Sequence, residues 1–76
     1  VYAGERRWSQ AQEAYFEAVR AAPENADYAY NLAVALDHLG QRAAARRYYQ
    51  RALELAPGRN IDFQPQAVRQ RLERLR

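Results

Sequence analysis

A chain of 76 residues supports one small domain with a modest core, so its stability must come from helix packing, neighbouring chain or self-association. It has no Cys and a single His, which excludes disulfides, a thiol nucleophile and a structural zinc site. All 12 basic residues are Arg, the net charge is +3, and no apolar run approaches the roughly 18 residues of a membrane span.

Sixteen Ala against three Gly and three Pro favour helix over sheet. Four helices are predicted. The first runs over about 10–22, with Ser9 as N-cap and Gln12 three residues on, a capping-box arrangement. It stops before Pro23, which cannot continue a helical hydrogen-bond ladder. The second runs over about 26–39, with Asn25 as N-cap and Gly40 supplying the left-handed residue that ends it. The third covers about 42–56 and stops at Pro57-Gly58. The fourth covers about 64–75, with Asp62 as its cap and Pro65 in the first turn, where a missing N–H costs least. The short connections at Pro23–Ala26 and Gly40-Gln41 predict antiparallel neighbours. The chain opens on Val1 rather than Met and reads as a fragment or processed product.

Charge is unevenly spread. Residues 1–40 carry three Arg against six acids, and residues 41–76 carry nine Arg against three. The Arg residues interleave with Gln, Ala and Glu, so solvated helix faces are expected ahead of a dedicated anion site. Arg-only basic usage with abundant Ala fits a GC-rich genome.

The chain repeats itself, and the offset falls in the range of helical repeat arrays. Ala11, Tyr15, Ala18, Val19, Ala22 and Pro23 recur as Ala45, Tyr49, Ala52, Leu53, Ala56 and Pro57. Ala, aromatic and Ala spaced four and then three apart lie along one helix face. Tyr15, Phe16, Tyr48 and Tyr49 are therefore expected in an interhelix core. On the fourth helix, Val68, Leu72 and Leu75 form a narrow apolar stripe, with Arg69, Arg71, Arg74 and Arg76 off it.

These residues resemble the tetratricopeptide repeat (TPR) family, whose helix–turn–helix unit has the same length and places Leu, small, aromatic and Pro residues at set positions. Leu32, Ala45, Tyr49 and Pro57 fill its Leu, Ala, aromatic and Pro slots, and Ala52 and Gly40 fit as well. Ala29, Ala33 and Leu36 depart from the usual Trp, Gly and Tyr, and Tyr28 or Tyr30 is expected to fill the volume that Ala29 leaves. The resemblance implies an all-α fold of antiparallel hairpins in a right-handed superhelix. Residues 1–23 then form a partial repeat, 24–57 a complete one and 58–76 a capping helix, with "VYAG" ending an otherwise missing helix and a turn near Gly4. "YNLAVALDHLGQ" and "DFQPQAVRQRLERL" are similar to the C-terminal ends of bacterial TPR proteins linked to pilus or secretion assembly.

Adjacent Asp37 and His38 raise catalysis, but neighbours on a helix point about 100° apart, so Asp37 is poorly placed to orient His38. No Cys is present and Ser9 has a capping role. No enzyme activity, cofactor or metal is expected. The resemblance implies instead a protein-interaction module, scaffold or adaptor, binding a partner peptide in the concave groove lined by first helices. On the second helix the residues off the packing face are Asp27, Tyr30, Asn31, Val34, Asp37 and His38, and these are expected to line that groove. Asn31 matches a position that some family members use to hold a peptide backbone or terminal carboxylate. The following helix offers only Ile61 and Pro65 where a carboxylate clamp needs basic residues, so no clamp is expected. An imidazole at the end of the strip would make a contact pH-sensitive. Self-association through the unpaired flank of the first helix is the alternative. Binding of nucleic acid or an anionic surface through the Arg-rich half ranks below both.

Overall fold

The computed structural model describes residues 2–58 and 61–75, with side chains from Arg7 onward. Four helices follow one another: α1 Tyr2–Ala21, α2 Ala26–His38, α3 Arg42–Leu55 and α4 Pro65–Arg74. Neighbours in sequence pack together in turn, α1 on α2, α2 on α3 and α3 on α4. Among the described residues the fold is all-α, a run of antiparallel helical hairpins.

The expected elements α2, α3 and α4 appear close to their predicted bounds. The start of α1 does not. The helix begins at Tyr2 rather than near residue 10, so Ser9 lies in its interior and caps nothing, and there is no turn at Gly4. Gly in a helix interior costs only about 1 kcal/mol against Ala, and the flanking Glu, Arg, Gln and Ala are good helix formers. No Pro interrupts them. Asp62 is a second correction, because the cap position of α4 is Gln64, with Pro65 at the start of the helix as predicted. The backbone N–H of Asp62 instead donates to Asp27.

The other boundary residues act as expected. The Asn25 side chain accepts the Tyr28 N–H at 3.0 Å, which starts α2. At its far end Gly40 has φ +80°. The Gln41 N–H bonds the Leu36 carbonyl at 2.9 Å and the Gly40 N–H bonds that of Asp37 at 3.1 Å. This pair of bonds is a Schellman motif, which satisfies carbonyls that the helix leaves unpaired and reverses the chain into α3.

Small residues set the spacing of the central hairpin. Ala29, Ala33, Ala45 and Ala52 are each at most 1% exposed, so α2 and α3 pack closely. Leu32 is fully buried among them, and its truncation to Ala would remove about 2–5 kcal/mol. Tyr49 is buried, with Tyr15 and Tyr48 packed against the same core. Phe16 is the exception to the aromatic expectation: it is 40% exposed, on a part of α1 that α2 does not cover. Tyr28 is exposed as well, so it does not fill the volume beside Ala29. On α4, Val68 and Leu75 are buried and Leu72 packs against the core, completing the predicted stripe. Arg69 and Arg74 are exposed off that stripe, and Arg76 lies outside the described residues, as do Arg59 and Asn60.

Candidate functional site: one face of α2 and the cleft at its end

The Asn25 cap sets the phase of α2. Asp27, Tyr30, Val34 and Asp37 then fall at i, i+3, i+7 and i+10 along one strip, with Asn31 and His38 beside it. Three of these residues hold the C-terminal segment. Asp27 Oδ1 accepts the Asp62 N–H at 2.8 Å. The Tyr30 ring stacks on Phe63 with centroids 4.7 Å apart and planes 10° apart, and meets Tyr49 at 6.1 Å in a tilted arrangement. Asp37 accepts two hydrogen bonds from Arg71, one from Nε and one from Nη2, each 2.6 Å, and a third from the Tyr49 hydroxyl at 3.1 Å.

These anchors share a register. Asp27 meets Asp62, Tyr30 meets Phe63 and Asp37 meets Arg71, each pair separated by close to one repeat length. Residues about one repeat apart therefore lie side by side, two of the partners in the segment just before α4 and one on α4 itself.

Asp37 is the electrostatic centre. Its hydrogen bonds from Arg71 hold the carboxyl below the usual carboxylate range, against the opposing effect of burial, and the Tyr49 hydroxyl adds to the lowering. Burial, followed by the Asp37 charge and hydrogen bond, pushes the Tyr49 phenol well above its ordinary value. A charged carboxylate receiving bonds from α3 and α4 ties three helices together at one point.

His38 is oriented by a different partner. Its ring lies flat on the Trp8 indole, with centroids 3.9 Å and planes 6° apart. Trp8 and His38 are equally far along the chain from Pro23, so the antiparallel α1–α2 hairpin brings them opposite each other. Asp37 and His38 point to separate partners, and no acid–histidine relay is formed between them.

A cleft of about 340 Å³ opens at this end of α2, lined by Asp37, His38 and Arg71. Of the six residues expected to line the groove, Asp37 and His38 reach the cleft. Val34 packs partly into the core, and Asn31 is half-exposed. Asp27 and Tyr30 serve as struts to the C-terminal segment. Sequence reasoning misses Arg71 and Trp8 as members of this region. The available signal for Arg71 is its place one repeat length after Asp37 with opposite charge, and that for Trp8 is its mirror position to His38 across the turn.

The helical hairpin of α2 and α3, with small residues at its crossing and a repeat-length register, has a counterpart among known families. Residues 26–59 match the sequence model of the tetratricopeptide repeat. This segment is TPR-like. No curated protein and no solved structure gives a significant match to the chain. TPR units generally mediate protein–protein interaction and are generally non-catalytic scaffolds. Among the described residues, no cluster of three or more His, Asp or Glu could hold a metal ion, and no helix is long and apolar enough to cross a membrane.

Proposed function

We propose that this TPR-like unit binds a partner peptide or protein segment along α2, through Asn31, Val34 and His38, with Arg71 and the Asp37 carboxylate forming the wall at the end of the strip. The observation that carries this reading is the cleft of about 340 Å³ where Asp37, His38 and Arg71 converge. Arg71 commits Nε and Nη2 to Asp37, which leaves Nη1 for a partner acceptor. The Trp8 stack holds the imidazole in a fixed plane beside it. Residues 1–23 are read as a partial repeat, 24–57 as the complete one and 58–76 as a closing helix. We further propose, on the resemblance of "YNLAVALDHLGQ" and "DFQPQAVRQRLERL" alone, that the chain is the TPR region of a pilus- or secretion-assembly type protein.

The test is capture of interacting proteins by the intact protein and by Asn31→Ala and His38→Ala. A partner retained by the parent and lost or weakened about tenfold by either variant supports the groove. Partners captured equally by all three would sink it. Tyr30→Ala is a poorer probe, because Tyr30 stacks on Phe63 and supports the fold.

One observation favours self-association as a second reading. Ala45, Tyr49 and Ala52 on α3 are at most 4% exposed, whereas the equivalent Ala11, Tyr15 and Ala18 on α1 are only partly covered. A second copy could cover that flank. A monomer mass that stays constant across a concentration series in sedimentation would remove this reading.

A further inference from the structure

The helix pair α3–α4 carries a cleft that the groove does not use. It measures about 320 Å³ and is lined by Arg46 and Gln50 from α3 and by Arg69, Leu72 and Glu73 from α4. It lies on another side of α4 from the Asp37 anchor: Arg69 and Arg71 are two residues apart on one helix and so point about 200° apart. The repeat register shows how this helix pair differs from the first. One repeat further along the chain, Trp8 corresponds to Arg42, Gln12 to Arg46 and His38 to Leu72. Between α1 and α2, Trp8 and His38 stack on each other across the helix pair. Between α3 and α4 the same two positions hold Arg42 and Leu72, which cannot form such a stack.

The substitution also changes the charge. Arg42 and Arg46 stand one turn apart on α3, and Arg46 faces Arg69 across the cleft. The ion pairs among the described residues are Arg20–Glu17, Arg51–Glu54 and Arg71–Asp37, so Arg46 and Arg69 are in none of them. Glu73 lies four residues after Arg69 on the rim, within reach of sharing its charge, which still leaves Arg42 and Arg46 uncompensated. The surrounding residues 41–76 hold nine Arg against three acids, a field that attracts negative partners.

We propose that the α3–α4 cleft is a second docking surface, for an acidic peptide segment whose carboxylates meet Arg46 and Arg69 and whose apolar side chain covers Leu72. A polynucleotide fits less well. A phosphodiester track would run against the Glu73 carboxylate and would leave the exposed part of Leu72 uncovered, whereas a peptide offers N–H donors to Glu73 and Gln50. The surface is independent of the α2 strip, with which it shares no residue.

The experiment is fluorescence anisotropy on the intact protein with a labelled peptide of about twelve residues built from Glu-Leu-Glu-Glu units, at about 0.02 M and about 0.15 M salt. A Lys-for-Glu peptide and an oligodeoxythymidine of similar length are the comparison probes. The Glu peptide is expected to bind, more tightly at low salt. Arg46→Glu and Arg69→Glu are each expected to weaken it about tenfold, and Arg47→Glu less than about twofold. Arg47 is exposed on the same helix, some 100° round from Arg46, so it makes the same change in net charge away from the cleft. Arg46→Gln and Arg69→Gln give the same ordering with smaller losses if a reversal disturbs folding. No binding at low salt, equal loss from Arg47→Glu, or tighter binding of the oligonucleotide would each overturn the proposal. Self-association at low salt that Arg46→Glu abolishes would assign the cleft to a second copy of the chain and overturn it too.

Discussion

Replacing Asp37 by Ala removes the point at which α2, α3 and α4 are tied. The carboxylate loses two guanidinium bonds of 2.6 Å and one phenol bond of 3.1 Å. A hydrogen bond to a charged group contributes roughly 1.5–3 kcal/mol, while a fully exposed ion pair contributes under about 1 kcal/mol. The Asp37 side chain is 11% exposed and that of Arg71 is 42% exposed, so the pair falls between these cases. The substitution is expected to cost about 2 kcal/mol, a fall in Tm of about 8–16 °C for a chain of this size. Arg71→Ala should cost less, about 1 kcal/mol, because Asp37 keeps Tyr49 and gains water. Thermal melts of the parent, both single variants and the double variant, followed by far-ultraviolet circular dichroism, give the coupling, expected near about 1 kcal/mol. The pH dependence adds a second readout. Arg71 holds the Asp37 carboxyl lowered in the folded state. Its stabilisation is therefore complete above the unfolded value of about 3.9 and is lost as pH falls from there through the folded value. The Tm gap between parent and Asp37→Ala should hold at neutral pH and close on acidification below about pH 4. Additive single effects, or a gap that persists in acid, would refute the account of Asp37 as a tie.

Trp8 is the only Trp and lies flat against His38, so His38→Ala should shift its emission to the red and raise its quenching by acrylamide, and an unchanged spectrum would place the indole elsewhere. Gly40→Ala should cost about 1 kcal/mol in chemical denaturation. Its φ of +80° is strained for a side chain although the space around it is open, and a neutral result would mean the turn can relax.

Much of this fold is legible in the sequence because local and global signals agree. The recurring Ala–aromatic–Ala face, the Pro stops and Gly40 each specify a helix face or an end, and α2, α3 and α4 follow them. The start of α1 is harder to read because Ser9 is a good cap and Gly4 a plausible turn, yet neither forbids a helix whose neighbours favour it. Phe16 departs from the expected core because α1 receives only one neighbouring helix here and leaves part of its surface uncovered. For the site, periodicity selects the strip on α2 but does not tell which of its members hold the chain's own C-terminal segment. That depends on pairing across helices, such as Asp37 with Arg71 and Tyr30 with Phe63, and a pattern read along one helix does not contain it.

The side-by-side register of the anchors bears on how the molecule assembles. Helix contacts join nearest neighbours in sequence, and the α2–α4 anchors reach only about one repeat further. Every native meeting therefore closes a short loop, and the search for it is brief. Topologies of such low contact order reach the native state in microseconds to milliseconds. The α2–α3 hairpin, richest in buried residues, is the natural nucleus. Helix α4, joined by fewer buried side chains and by the single Asp37–Arg71 anchor, would dock last and be the first to lift away.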